Sequence, residues 1–302
     1  MLGASTRAIL CLIAVAVAIW DARLPTIPAA LAQRPEASST KTLAPYLGFD
    51  RNDYPGDNSL ASLRATFSYT GYWLNNPPGA TRNSWAGKRN TLLAHGFGFL
   101  VLFNGRLDKE LKASPNPANL GHADAAGAAQ SASTEGFPKD TTIFLDVEEG
   151  GRMLPEQKAY IYGWVDAIHQ AGFRPGIYCS GIPAADGPGH TIVTADDLKQ
   201  NAGARDIVFW VANDSCPPSP GCAFPHRPPQ PGTSRVSFAA VWQYAQSPRR
   251  PQLTRSCART YAPDGNCYAA GANSGRVFVD LNVALEPDPS HGGSRSTGPA
   301  DR

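Results

Sequence analysis

Charge is scarce and balanced in this chain. Asp, Glu, Lys and Arg make up 17% of the 302 residues and leave a formal net charge of +2. No basic stripe is present to follow a phosphate backbone or an anionic bilayer, so nucleic acid is excluded as a partner. Histidine is sparse as well. The six residues show neither a His-x-x-x-His nor a His-Glu-x-x-His spacing, so no metal site and no cofactor is expected. Ser180 and Ser215 lack the setting of a nucleophile elbow. No solenoid-type repeat is present. No glycine-rich phosphate turn follows the first predicted strand, where Asp50-Arg51-Asn52-Asp53 stands instead.

Long apolar runs are lacking too. The run from Ala8 to Trp20 is shorter than the roughly 20 residues that span a bilayer. Arg7 precedes it, and Ala30-Leu31-Ala32 supplies a small-x-small cleavage signal before Gln33. Residues 1–32 are therefore expected to be a signal peptide cut after Ala32, with residues 33–42 a polar linker. The product would be exported, periplasmic or extracellular, and monomeric, with no membrane insertion once the signal is gone. The long interval from Trp20 to Ala32 leaves an uncleaved anchor as the alternative.

Cysteine usage agrees with export. Cys11 leaves with the signal, while Cys216 with Cys222 and Cys257 with Cys267 lie close in sequence, so each pair can clip its own loop. Cys179 is left over inside the apolar pattern Gly176-Ile177-Tyr178-Cys179, which favours a buried, inert thiol.

What the chain does have is alternation. Predicted strands are Tyr46–Asp50, 67–74, 97–104, the stretch around 141–150, 174–180, 206–212, 236–244 and 276–282. Between them, helical spacing falls on 59–65, 85–95 (with Ser84 as N-cap), 122–135, 155–171 and 194–202. Thr194-x-x-Asp197 has the form of a capping box. Eight strands alternating with helices predict a (β/α)8 TIM barrel over residues 43–285. A Pro/Cys-rich loop replaces the helix after strand six, and a Gly/Ser/Pro-rich disordered tail covers 286–302.

The acids are placed where such a barrel works, at the C-terminal ends of its strands. In Leu145-Asp146-Val147-Glu148 the two carboxylates are two residues apart, hence on one side of strand four. Like charges held together tend to keep one group protonated. A neutral acid beside an anion is the requirement for cleaving a glycosidic bond. Asp50 closes strand one and Asp280 lies near the end of strand eight, both with inward parity. Tyr72, Tyr178, Trp210, Trp242 and Tyr244 lie near strand ends as candidate platforms for sugar rings. Asn104 and Gln243 are candidate partners for sugar hydroxyls.

Gly48-Phe49-Asp50, Gly71-Tyr72-Trp73-Leu74, Trp85-Ala86-Gly87-Lys88-Arg89, Leu145-Asp146-Val147-Glu148, Phe209-Trp210-Val211-Ala212, Trp242-Gln243-Tyr244 and Val279-Asp280-Leu281-Asn282 occur in this order. Together they resemble a bacterial exported domain-of-unknown-function family described as glycoside-hydrolase-like. That family is itself similar to the family 25 (Chalaropsis-type) lysozymes, which cut peptidoglycan. The resemblance implies Glu148 as general acid, Asp146 as its partner carboxylate, and Asp50 and Asp280 as completing an acidic cleft. It implies a metal-independent, lysozyme-like hydrolase acting on peptidoglycan or a related amino-sugar polysaccharide. The alternative function is a non-catalytic, cell-wall-binding barrel using the same cleft.

Overall fold

Alternating apolar segments of five to seven residues pair side by side, and the last returns to the first. In the computed structural model, which describes residues 44–213, 228–245, 267–268 and 277–293, all described residues fall in one unit, 42–302. The strands are β1 (Tyr46–Asp50), β2 (Tyr69–Trp73), β3 (Gly98–Asn104), β4 (Thr142–Asp146), β5 (Arg174–Ser180), β6 (Val208–Ala212), β7 (Val241–Ala245) and β8 (Phe278–Ala284). They hydrogen-bond in that order, and β8 pairs with β1 to close the ring. The expected closed eight-stranded barrel with surrounding helices is what the chain forms.

One strand runs the other way. Strands β1 to β7 are parallel, whereas β8 is antiparallel to both β7 and β1. Its neighbour in sequence, the two-residue strand Cys267–Tyr268, also pairs with it antiparallel. A parallel return needs a crossover, usually a helix; a hairpin-like approach delivers the opposite direction.

The helices form the outer layer. They are α1 (Leu60–Arg64), α2 (Arg89–Ala94), α3 (Asp108–Lys112), α4 (Pro117–Thr134), α5 (Pro155–Gln170) and α6 (Thr194–Asn201). α5 buries Tyr160, Ile161, Trp164, Val165 and Ile168, one face at helical spacing. Pro155 opens it, and Gly172 stops it at φ 81°. α4 opens earlier than its alanine run suggests, at Pro117, because Asn116 caps it by accepting from Asn119 N. The two helices touch backbone to backbone. A Cβ at Gly121 would lie 2.2 Å from Tyr160 O, and one at Gly163 2.6 Å from Ala118 O.

Local signals failed where a side chain found a distant partner. Ser84 does not cap α2, which begins at Arg89; its hydroxyl accepts from Tyr54 N, and Trp85 is buried with its indole N–H on Asn52 O. Thr194-x-x-Asp197 does not form a capping box. Thr194 Oγ1 bonds Gly151, and Asp197 takes Met153 N and Lys158 Nζ. The stretch from Glu286, expected to be disordered, is a strap as far as Gly293. It wedges between the N-terminal ends of β3 and β4 through Ser290 N to Phe99 O, Val101 N to Ser290 Oγ and Thr142 N to Ser290 O. Residues 294–302 lie outside the described residues, as do the expected signal peptide and linker and Cys216, Cys222 and Cys257. No helix among the described residues is long and apolar enough to cross a membrane.

Candidate active site

The ends of β4, β1 and β8 meet at one pole. β4 ends on Asp146, which is 3% exposed, and the chain leaves through Val147, whose N–H donates to Tyr178 O across to β5. Glu148 is exposed beyond it. Glu149 turns the other way. Its Oε2 accepts from Asp108 N at 2.8 Å and Gln157 Nε2 at 2.7 Å, tying the turn to α3 and α5. Three acids within four residues, Asp146, Glu148 and Glu149, are thus placed one inside the barrel, one at its mouth and one among the helices.

Asp50 lies at the end of β1, directly opposite Asp280 in the register with β8. Gly71 of β2 makes room for it, since a Cβ there would stand 2.8 Å from Asp50 Cβ. Two amides converge on a single oxygen of Asp50. Gln243 Nε2 donates to Oδ1 at 2.8 Å and Asn282 Nδ2 donates to the same atom at 2.7 Å. Behind each amide stands an aromatic donor: Tyr178 Oη gives to Gln243 Oε1 at 2.7 Å, and Trp210 Nε1 gives to Asn282 Oδ1 at 3.0 Å. Tyr178 and Trp210 pack edge to face with centroids 4.7 Å apart.

Burial sets the proton inventory. Asp50 is pushed up to about 6, first by desolvation and further by the charge of Glu148, against the pull of its two amide donors. Asp146 is raised well above the ordinary carboxylate range by burial, then by the charges of Glu148 and Asp50. Neither Asp146 oxygen has an N–H donor. Burial and two neighbouring carboxyls, with no donor to stabilise the anion, favour the neutral form of this carboxyl. The Tyr178 phenol is driven up by burial and by negative charge from Asp146, Glu148, Asp50 and Asp280 together. All four sequence-predicted carboxylates therefore act on one hydroxyl.

The predicted sugar platforms are placed differently. Tyr72 points into the helix layer, where it is fully buried among Trp85, Phe99 and Phe137 and donates to Glu135. Trp210 is fully buried inside the barrel. Tyr178, Trp242 and Tyr244 are each less than a tenth exposed; Trp242 gives its indole N–H to Asn213 O and packs on Tyr244. None of the five presents an open face for stacking. Gln243 is saturated by Tyr178 and Asp50, and Asn104 pins the loop after β2 through Asn75 and Asn76. Cys179 is a buried free thiol, pushed up by desolvation. Among the described residues no group of three or more His, Cys, Asp or Glu is arranged to hold a metal ion.

Sequence reading missed Asn282, Glu149 and Trp73, whose indole N–H fixes Arg51 O at the exit of β1. The signal for Asn282 was available: it shares parity with Asp280 on the same strand.

No curated protein matches the chain. Among solved structures, a protein of B. stearothermophilus is similar at 21% identity and TM-score 0.49, over 79% of this chain and 95% of that one. The Tat-secreted protein Rv2525c of Mycobacterium tuberculosis, solved with L-tartrate, is similar at 14% identity and TM-score 0.49, over 82% and 97%. A family 25 glycosyl hydrolase from Bacillus anthracis is similar at 10% identity and TM-score 0.44, over 80% and 90%. The family profile described as Rv2525c-like, glycoside hydrolase-like domain matches residues 64–214, half of the sequence and the segment that carries β2 to β6. The chain belongs to the Rv2525c-like, glycoside hydrolase-like domain family.

Proposed function

We propose that this protein is an exported glycoside hydrolase that cleaves peptidoglycan or a related amino-sugar glycan. The observation that carries the reading is the meeting of four carboxylates at one barrel pole, all acting on the Tyr178 hydroxyl. Glu148, exposed at the mouth beside an Asp146 whose burial favours the neutral form, is the group that reaches a glycosidic oxygen. Asp146 supplies the proton reservoir behind it. Asp50 and Asp280 supply negative charge for the oxocarbenium-like transition state.

The non-catalytic alternative loses ground on the aromatics. A glycan-binding cleft without chemistry draws its affinity from exposed rings, and the five expected rings are buried. The test is release of reducing ends from purified peptidoglycan and, in parallel, from chitin. Turnover of either supports the reading, and inertness toward both with retained binding returns the alternative.

A further inference from the structure

Asn282 and Gln243 are fully engaged side chains deep in the barrel, 0% and 2% exposed. Each spends its carbonyl oxygen on an aromatic donor and its N–H on Asp50 Oδ1. For Asn282 that orientation is forced. Trp210 Nε1 can only donate, so it fixes which end of the Asn282 amide is oxygen and which is nitrogen. Asn282 must then present N–H to Asp50. Asn282 is thereby committed to donating, Gln243 donates beside it, and a donor on an acid favours its ionised form.

Asp146 has the opposite surroundings: burial, two neighbouring carboxyls and no N–H donor. Two buried acids at the same pole thus differ in one respect that the fold controls, the supply of donors. We propose that Asn282 and Gln243 are positioning residues that keep Asp50 ionised and thereby consign the site's proton to the Asp146–Glu148 pair. Trp210 acts through Asn282 by fixing its amide orientation, and Tyr178 occupies the oxygen of Gln243. The inference rests on the glycosidase reading for its purpose, but its test needs no turnover.

Other titratable groups neighbour Asp50 at this pole. Those with a shown relation to Asp50 come from four strands: Tyr69 from β2, Asp146 and Glu148 at β4, Tyr178 from β5 and Asp280 from β8. None brings a positive charge, so the amide donors oppose burial and negative neighbours.

The experiment is a carboxyl-carbon NMR titration of the full chain, with Asp50 assigned by its loss in Asp50→Asn. Asn282→Leu and Gln243→Met each delete one donor while roughly keeping side-chain volume. In either variant the ionised-to-neutral ratio of Asp50 at pH 6 should fall about tenfold, the usual worth of one hydrogen bond to a charged group. The Asp146 signal should titrate lower as its neighbour loses charge. Either variant suffices if the other fails to fold. A midpoint for Asp50 unchanged from the wild type's in a folded variant would overturn the proposal, whether or not the protein cleaves any glycan.

Discussion

Asp50 and Asp280 face one another as register partners on antiparallel strands β1 and β8. Asp280 reaches the mouth because β8 begins there, while Asp50 reaches it because β1 ends there. A reversed last strand therefore lets two adjacent strands each deliver an acid to the same rim. Asn282, two residues further on, then lies deeper on the same face, where it grips Asp50 from the side.

This crowding should be visible in the pH dependence of stability. Asp50 is raised from an ordinary 3.8 to about 6, so between those values the folded state binds more protons than the unfolded one. Stability then falls as pH rises through that window. The displacement corresponds to roughly 3 kcal/mol lost above pH 6 for this fully buried group. Surface carboxylates such as Asp166 and Asp186, lowered by arginine partners, act in the opposite sense. The comparison is therefore between wild type and Asp50→Asn, in urea melts at pH 4 and pH 7. The wild type should lose more stability than the variant on going to pH 7, and parallel behaviour would contradict the assignment.

Glu148→Gln should abolish turnover without unfolding the protein. The side chain is exposed, so its replacement leaves the core intact, while removing a general acid costs about 10²–10⁴ in rate. Reducing-end release and thermal melting, measured on the same preparation, separate the two effects. Wild-type turnover in this variant would remove Glu148 from the chemistry.

Asp146→Asn should make the fold more stable at pH 7 and the enzyme less active. The native carboxyl is buried beside Asp50 and Glu148 with no N–H donor. Folding at pH 7 must return a proton to this carboxyl, whereas an amide needs none. Relief of a strained functional group typically returns about 0.5–2 kcal/mol, read here as a higher melting temperature. A lower melting temperature at neutral pH would mean that the acid is structural.

The acids were legible because strand-end parity is a local property: two residues apart means one side, as Asp146 and Glu148 illustrate. Gly136 and Gly172, at φ 82° and 81°, follow α4 and α5 in the left-handed backbone that glycine favours. Direction was not legible. An antiparallel strand has the same period of two as a parallel one, so β8 read backward still placed Asp280 at the mouth, by coincidence. Nor could Tyr72 be assigned to a face. Parallel barrel strands are apolar on both sides, and β2 is buried along its entire length. The strap was missed because its Gly/Pro/Asp composition reads as disorder. Composition does not register that Asp288 and Ser290 cap the free ends of other strands.

That strap gives the last prediction. Asp288 Oδ1 accepts from Phe99 N at 2.8 Å and Gly292 N at 3.2 Å, and Oδ2 accepts from Gly293 N at 2.8 Å. The same turn presents Gly292 O to the buried Arg89 guanidinium at 2.7 Å. Asp288→Ala leaves three backbone donors without their acceptor and loosens the partner of a buried charge, a loss of roughly 2 kcal/mol or more. Asp288→Asn keeps one acceptor oxygen and should lose less. The midpoints of urea unfolding should rank wild type, Asn, then Ala, and equal midpoints would show that the strap contributes nothing. Because the strap meets the N-terminal ends of β3 and β4, at the pole opposite the acids, any turnover per folded molecule should be unchanged in both variants.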